Sequence, residues 1–203
     1  MTIRQPTEDR RVQIADAALK VIAEQGLGRF TTQAIAAEVG VTDGTLFRHF
    51  GSKEEIVHAA LDRVEARLFE GFPPEDPDPL VRLERFFRFR AALVAANPVI
   101  ARLAFSEELP HAAGERGAAQ VKHWKDRSLD FVVGCVEEAA EQGRIPQGLP
   151  TREVGVLILG TLLALVRFGE LASGASTVDR AWSAVRRVLG AVESTVRSVE
   201  VSS

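Results

Sequence analysis

The chain has 203 residues, 46% apolar and 26% charged, with a formal net charge of −3; that is ample for a packed core in one large or two small domains, and it excludes a disordered or fibrous chain. The single cysteine, Cys135, excludes an internal disulfide framework and suits a reducing cytoplasm, and no basic-then-apolar leader precedes the first helical pattern. No membrane association is expected, because the longest apolar stretch, Val154 to Val166, is broken by Gly155, Gly160 and Thr161 and falls short of the roughly 20 residues that span a bilayer.

Helical spacing runs through the whole chain and no alternating strand pattern appears. A leading helix carries Val12, Ala15, Leu19 and Ile22 on one stripe and ends at Gly26. A short helix then starts at Thr31 or Thr32, either of which can cap it, with Ile35, Ala36 and Val39 as its apolar stripe and Gly40 as a left-handed end. The small side chain of Ala36 lets the next helix cross closely. That helix is capped by Thr42, has Asp43 in its positive first turn, and turns Leu46 and Phe50 toward the core. Ser52 opens a further helix, with Glu55 three residues on as a capping box, which continues through Val57, Leu61, Val64 and Leu68 to Gly71.

The proline-rich run PPEDPDP, Pro73 to Pro79, bars helix and marks a domain boundary. Beyond it Leu80, Leu83, Phe87, Ala91 and Val94 form a stripe widened by Phe86, Phe89 and Leu93 and stopped at Asn97-Pro98. A shorter helix carries Ile100, Leu103, Ala104 and Phe105 up to Pro110, and HAAGERG reads as a loop. A long helix follows with Trp124, Ser128, Phe131 and Cys135 in register, closed by Gly143 and Pro146. Val154 to Leu171 reads as a strongly apolar helix, Ser173 to Thr177 as a turn, and the last helix aligns Trp182, Val185, Leu189, Val192 and Val196 on a heptad-like seam.

The phrase FTTQAIAAEVGVTDGTLFRHF, with the leading stripe before it and GSKEEIV after it, resembles the DNA-binding half of the tetracycline-repressor (TetR) family of bacterial transcription regulators, over about Val12 to Leu61. The resemblance implies an all-α fold of about nine helices: a three-helix helix-turn-helix reader at 1–52 and a ligand-binding and dimerisation bundle at 53–203. It also implies that residues matching Gln33, Asp43, Gly44 and Thr45 face bases, and that those matching Thr32, Thr42, Phe47, His49 and Lys53 follow the phosphates. Arg48 is expected to join them. Two residues depart from the family's pattern. Phe47 stands where tyrosine is usual and loses a hydroxyl bond to phosphate, and Asp43 puts an acid where DNA repels it unless it accepts from a cytosine amino group or serves the helix dipole.

Charge supports a local rather than a global DNA-binding face. Residues 1 to 53 hold seven Lys or Arg against six acids, so the reader is only +1 and the other 150 residues carry −4. The apolar circumference of Val154 to Val166 calls for an outside cover. A twin subunit is expected to supply it, with Ile158, Leu162 and Leu165 pairing across a two-fold axis with the seam of Trp182, Val185, Leu189 and Val192. Two such readers would fit a near-palindromic operator.

For an apolar or aromatic effector the candidate lining is Phe86, Phe87, Phe89, Leu103, Phe105, Trp124, Phe131, Cys135 and Phe168, with His123 or Ser128 as a polar handle. The absence of tyrosine excludes phenolic hydrogen bonding. No cofactor is expected. Two competing classes share parts of this pattern: a ligand-independent architectural DNA binder, and a metal-carboxylate bundle enzyme hinted at by Glu108-Leu-Pro-His111 but interrupted by Pro110.

Overall fold

The computed structural model describes residues 7–26, 29–97, 100, 114–168 and 175–200, with side chains described for all of these except 7, 23, 167, 175 and 191–200. Among the described residues the fold is all-helical, with eight helices: α1 (Thr7–Gln25), α2 (Thr32–Val39), α3 (Asp43–His49), α4 (Lys53–Leu68), α5 (Pro79–Ala96), α6 (Gly114–Glu141), α7 (Thr151–Arg167) and α8 (Ala175–Glu200). The short helix expected at Ile100 to Phe105 lies outside the described residues apart from Ile100 itself. The chain divides into two compact units, residues 1–70 with 97–124 and residues 71–96 with 125–203.

The first unit follows the local signals closely. Thr31 caps α2, its hydroxyl accepting from the Ala34 amide at 3.1 Å. At the other end Gly40 takes φ 74°, and two reversed bonds close the helix, Gly40 N–H to Ala37 O and Val41 N–H to Ala36 O. A residue with a Cβ is strained in that left-handed conformation. Thr42 caps α3 through the Thr45 amide at 3.3 Å. Ser52 caps α4 through the Glu55 amide, and the Glu55 carboxylate reaches back to the Gly51 amide at 2.8 Å, one residue earlier than a capping box requires.

Packing then fixes these pieces. Ile14, Ala15, Ala18, Leu19, Val21 and Ile22 of α1 are buried, a broader face than the expected stripe, in which Val12 is only half-buried. They share the core with Ile35, Leu46, Phe50, Ile56 and Leu61. Asp16 of α1 takes a bidentate pair from Arg63 and a further bond from Arg67 at 3.0 Å, which fastens α4 to α1. Gln120 of α6 donates to Asp62 at 2.7 Å and to Glu65 at 2.9 Å, tying α6 to α4 within the same unit.

In the second unit Leu83, Phe87, Val132, Val136, Ile158, Leu162 and Trp182 lie in one buried cluster drawn from α5, α6, α7 and α8. Gly143 at φ 68° and the bond from Arg144 N–H to Ala139 O end α6 as the glycine signal predicts. Three boundaries differ from expectation. HAAGERG is not wholly a loop, since α6 already begins at Gly114. The apolar helix α7 stops at Arg167 rather than Leu171, with Phe168 as its C-cap. Of the turn expected at Ser173 to Thr177, Ala175 to Thr177 are already helical because α8 starts at Ala175, and the rest lies outside the described residues. Helix ends carry little periodic signal, so pattern alone misplaces them.

At Gly155 α7 comes close to α6. A Cβ there would lie 3.0 Å from a Leu129 methyl and 3.1 Å from a Val133 methyl. We therefore expect Gly155→Val to separate the two helices and lower stability by roughly 1–3 kcal/mol, with Gly155→Ala milder, as read by urea unfolding. A neutral valine would show that the helices can part freely.

Candidate nucleic-acid interface

The seven residues of α3 divide cleanly into two sides. Leu46 and the following Phe50 are fully buried, one turn apart. Gly44, Phe47 and Arg48 are exposed on the opposite side, and Asp43, Thr45 and His49 are partly exposed beside them. On α2 Gln33 is exposed and Thr32 half-buried, while Thr42 and Lys53 at the ends of the adjoining helices are also exposed. Sequence reasoning thus selected residues that lie at the surface of one unit around one short helix.

Local bonds define what each side chain still has to offer. The Thr42 and Thr45 hydroxyls lie 3.1 Å apart and are partly taken up with each other and with the cap. Arg11 donates to the His49 carbonyl and lies over the Phe50 ring at 4.2 Å, so it holds α1 to α3. The Nδ1 of His49 is enclosed and has no hydrogen-bond partner among the described residues, so any contact with an outside partner falls to Nε2. One Asp43 carboxylate oxygen is enclosed in the same way. Lys53 rests over the Phe30 ring at 4.9 Å. Lys20 is held by Glu38 at 2.6 Å, and this bond, more than the attraction of the Glu38 and Glu24 charges, raises its pKa.

The model of "Bacterial regulatory proteins, tetR family" matches residues 14–60, a span that contains every cap and turn just described. A nucleoid occlusion factor SlmA from Marinomonas sp. (strain MWYL1) is 30% identical, over 70% of this chain and 71% of its own. The HTH-type transcriptional regulator SrpR of Pseudomonas putida is also 30% identical, over 76% of this chain and 74% of its own. The chain belongs to the tetR family. A crystal structure of the TetR family transcriptional regulator PfmR from Thermus thermophilus shares the fold, with a TM-score of 0.73 at 21% identity, covering 91% of this chain and 96% of that one. As a tetR-family protein the chain is a helix-turn-helix regulator, and α2 and α3 are the two helices of that motif.

The residues expected to line an effector site do not gather in one place. Phe86 and Phe131 are 5.2 Å apart and share an aromatic cluster with Phe72, whose ring is 4.9 Å from Phe131. Phe87 turns to Trp182 instead, at 5.5 Å. Phe89 is half-buried, and Trp124 is buried but belongs to the first unit. His123 is exposed and so is Phe168, at 78%, because it forms the end of α7 and points away from the core. Leu103 and Phe105, with Glu108 and His111 of the competing metal pattern, lie outside the described residues. Burial pushes the Cys135 thiol up and keeps it neutral, which fits a packed core position.

Arg90, like Phe72, is a residue that sequence reasoning missed. It directly follows the phenylalanine run of α5, between Phe89 and Ala91, yet is only 7% exposed. Its Nη2 donates to Ser128 Oγ at 3.3 Å, and its guanidinium lies 5.1 Å from the Phe86 centroid. Burial, helped by the nearby charge of Arg127, pushes its pKa down to about 10. The signal was present in the sequence as an arginine between two members of an apolar stripe.

Most residues expected at the subunit contact lie on the inner face of their helices. Ile158, Leu162, Trp182, Val185 and Leu189 are buried in the chain's own core, and Leu165 is partly buried against it. A seam with that repeat packs equally well on its own bundle, and here it does. The side chain of Val192 lies outside those described. Among the described residues of the same helices, Val156, Leu157, Leu163 and Val188 are large apolar side chains left exposed, Leu157 to 64%. No helix among the described residues is long and apolar enough to cross a membrane.

Proposed function

We propose that the chain is a cytoplasmic, ligand-responsive repressor that binds a near-palindromic DNA operator as a homodimer and is released by a small apolar or aromatic effector. The reader is the helix-turn-helix segment within 1–52, and residues 53–203 bind ligand and dimerise. The observation that carries this reading is α3: a short helix with Leu46 and Phe50 sunk in the core and Gly44, Phe47 and Arg48 presented outward, inside the span that defines the tetR family. Gln33, Asp43, Gly44 and Thr45 face bases, while Thr32, Thr42, Arg48, His49 and Lys53 follow the phosphates. The partner subunit covers Val156, Leu157, Leu163 and Val188. This choice is supported by four large apolar side chains left exposed on two neighbouring helices. The effector occupies the aromatic region around Phe86 and Phe131.

Selection of bound duplexes from a random pool, followed by a salt titration, tests this reading. The expected result is two half-sites about one helical turn apart, with log affinity falling linearly with log salt at a slope of about −0.9 per phosphate neutralised. Binding indifferent to sequence would overturn it. A second reading draws on the similarity to a nucleoid occlusion factor: a DNA binder without an effector, which would select DNA equally well yet never release it on addition of small apolar molecules.

A further inference from the structure

We propose that Phe47 determines operator specificity by placing its ring against the C5 methyl group of a thymine in the major groove. This inference rests on the reading of α3 as the helix that enters the DNA.

The first unit leaves about half of this ring uncovered. Phe30 and Phe50 are 2% and 1% exposed, whereas Phe47 is 47% exposed. Gly44, Phe47 and Arg48 stand at i, i+3 and i+4, so they form one patch on the outer side of α3. The surface beside the ring is low. A Cβ on Gly44 would meet only the Thr42 hydroxyl, at 3.9 Å, and nothing else within 4 Å. A duplex can therefore approach the backbone at Gly44 closely enough for the ring to reach base edges, while Arg48 on the same patch supplies positive charge toward the backbone. The neighbouring hydroxyls of Thr42 and Thr45 are engaged with each other and with the cap.

The chemistry of the ring selects its partner. A phenyl group offers no hydrogen bond to a phosphate oxygen. The floor of the major groove presents donors, acceptors and one apolar protrusion, the thymine methyl group. A ring held out at this position gains by covering that methyl group.

The test uses the full-length protein and the duplex obtained by selection. Each thymidine is replaced in turn by deoxyuridine, which keeps the base pair and removes only the methyl group, and dissociation constants are measured at fixed salt. One position in each half-site is expected to lose about fourfold, corresponding to ~0.8 kcal/mol per methylene-sized group at about 1.4 kcal/mol per tenfold. Phe47→Ala should bind the thymine and uracil duplexes equally, with an unfolding midpoint near that of the original protein because the ring is exposed. Indifference of the original protein to every replacement, half-sites lacking thymine, or undiminished discrimination by Phe47→Ala would each overturn the proposal while leaving the regulator reading intact. Failure to select any DNA sequence would overturn both.

Discussion

Phe50→Ala is expected to lower the unfolding free energy by roughly 3–5 kcal/mol, the range for removing a fully buried phenyl ring. Phe50 follows α3 directly, its amide donates to the Leu46 carbonyl, and it carries the Arg11 guanidinium over its face while Arg11 also bonds His49 O. Losing the ring therefore removes core volume and unseats α1 from α3 together. Urea unfolding followed by circular dichroism reads the loss, and operator binding should fall with it at temperatures where the first unit no longer folds. A loss below about 1 kcal/mol would mean that the hinge of the reader is not built on this ring.

Gly44→Trp should do the opposite, leaving the fold intact and removing DNA binding. Space at Gly44 is open, and glycine is a poor helix residue, so the substitution leaves stability unchanged or slightly raised. An indole projecting from the outer side of α3 holds the helix off the groove floor, and affinity for the selected operator should fall by roughly a hundredfold or more. Fluorescence anisotropy measures the binding, and the unfolding midpoint guards against the trivial explanation. Retained affinity would mean that α3 does not enter the groove.

How far the sequence could be read depended on the range of the interactions involved. Thr31, Gly40, Thr42 and Ser52 act on atoms a few residues away, and each lies where its own chemistry puts it. The division of α7 and α8 into inner and outer faces is a tertiary fact. Ile158 and Leu157 are both apolar, and only the packing of α5 and α6 decides that the first is buried and the second exposed. The same limit hid the close approach at Gly155, which in the sequence is simply a glycine in an apolar run. Arg90 and Phe72 were missed for a related reason: an arginine beside an apolar stripe and a loop aromatic can each be read as solvated until the rings packed against them are seen. The outward side of α3 was legible because a short helix anchored by buried Leu46 and Phe50 leaves no freedom over which side faces outward.

Gln120 grips Asp62 and Glu65 through a single amide nitrogen. Hydrolysis of that amide, the slow spontaneous ageing reaction of glutamine, would exchange the donor for an acceptor and set three carboxylates against one another. The clasp between α6 and α4 is thus chemically perishable, and an aged molecule would differ from a fresh one by a single side-chain group at the place where its first unit is sewn together.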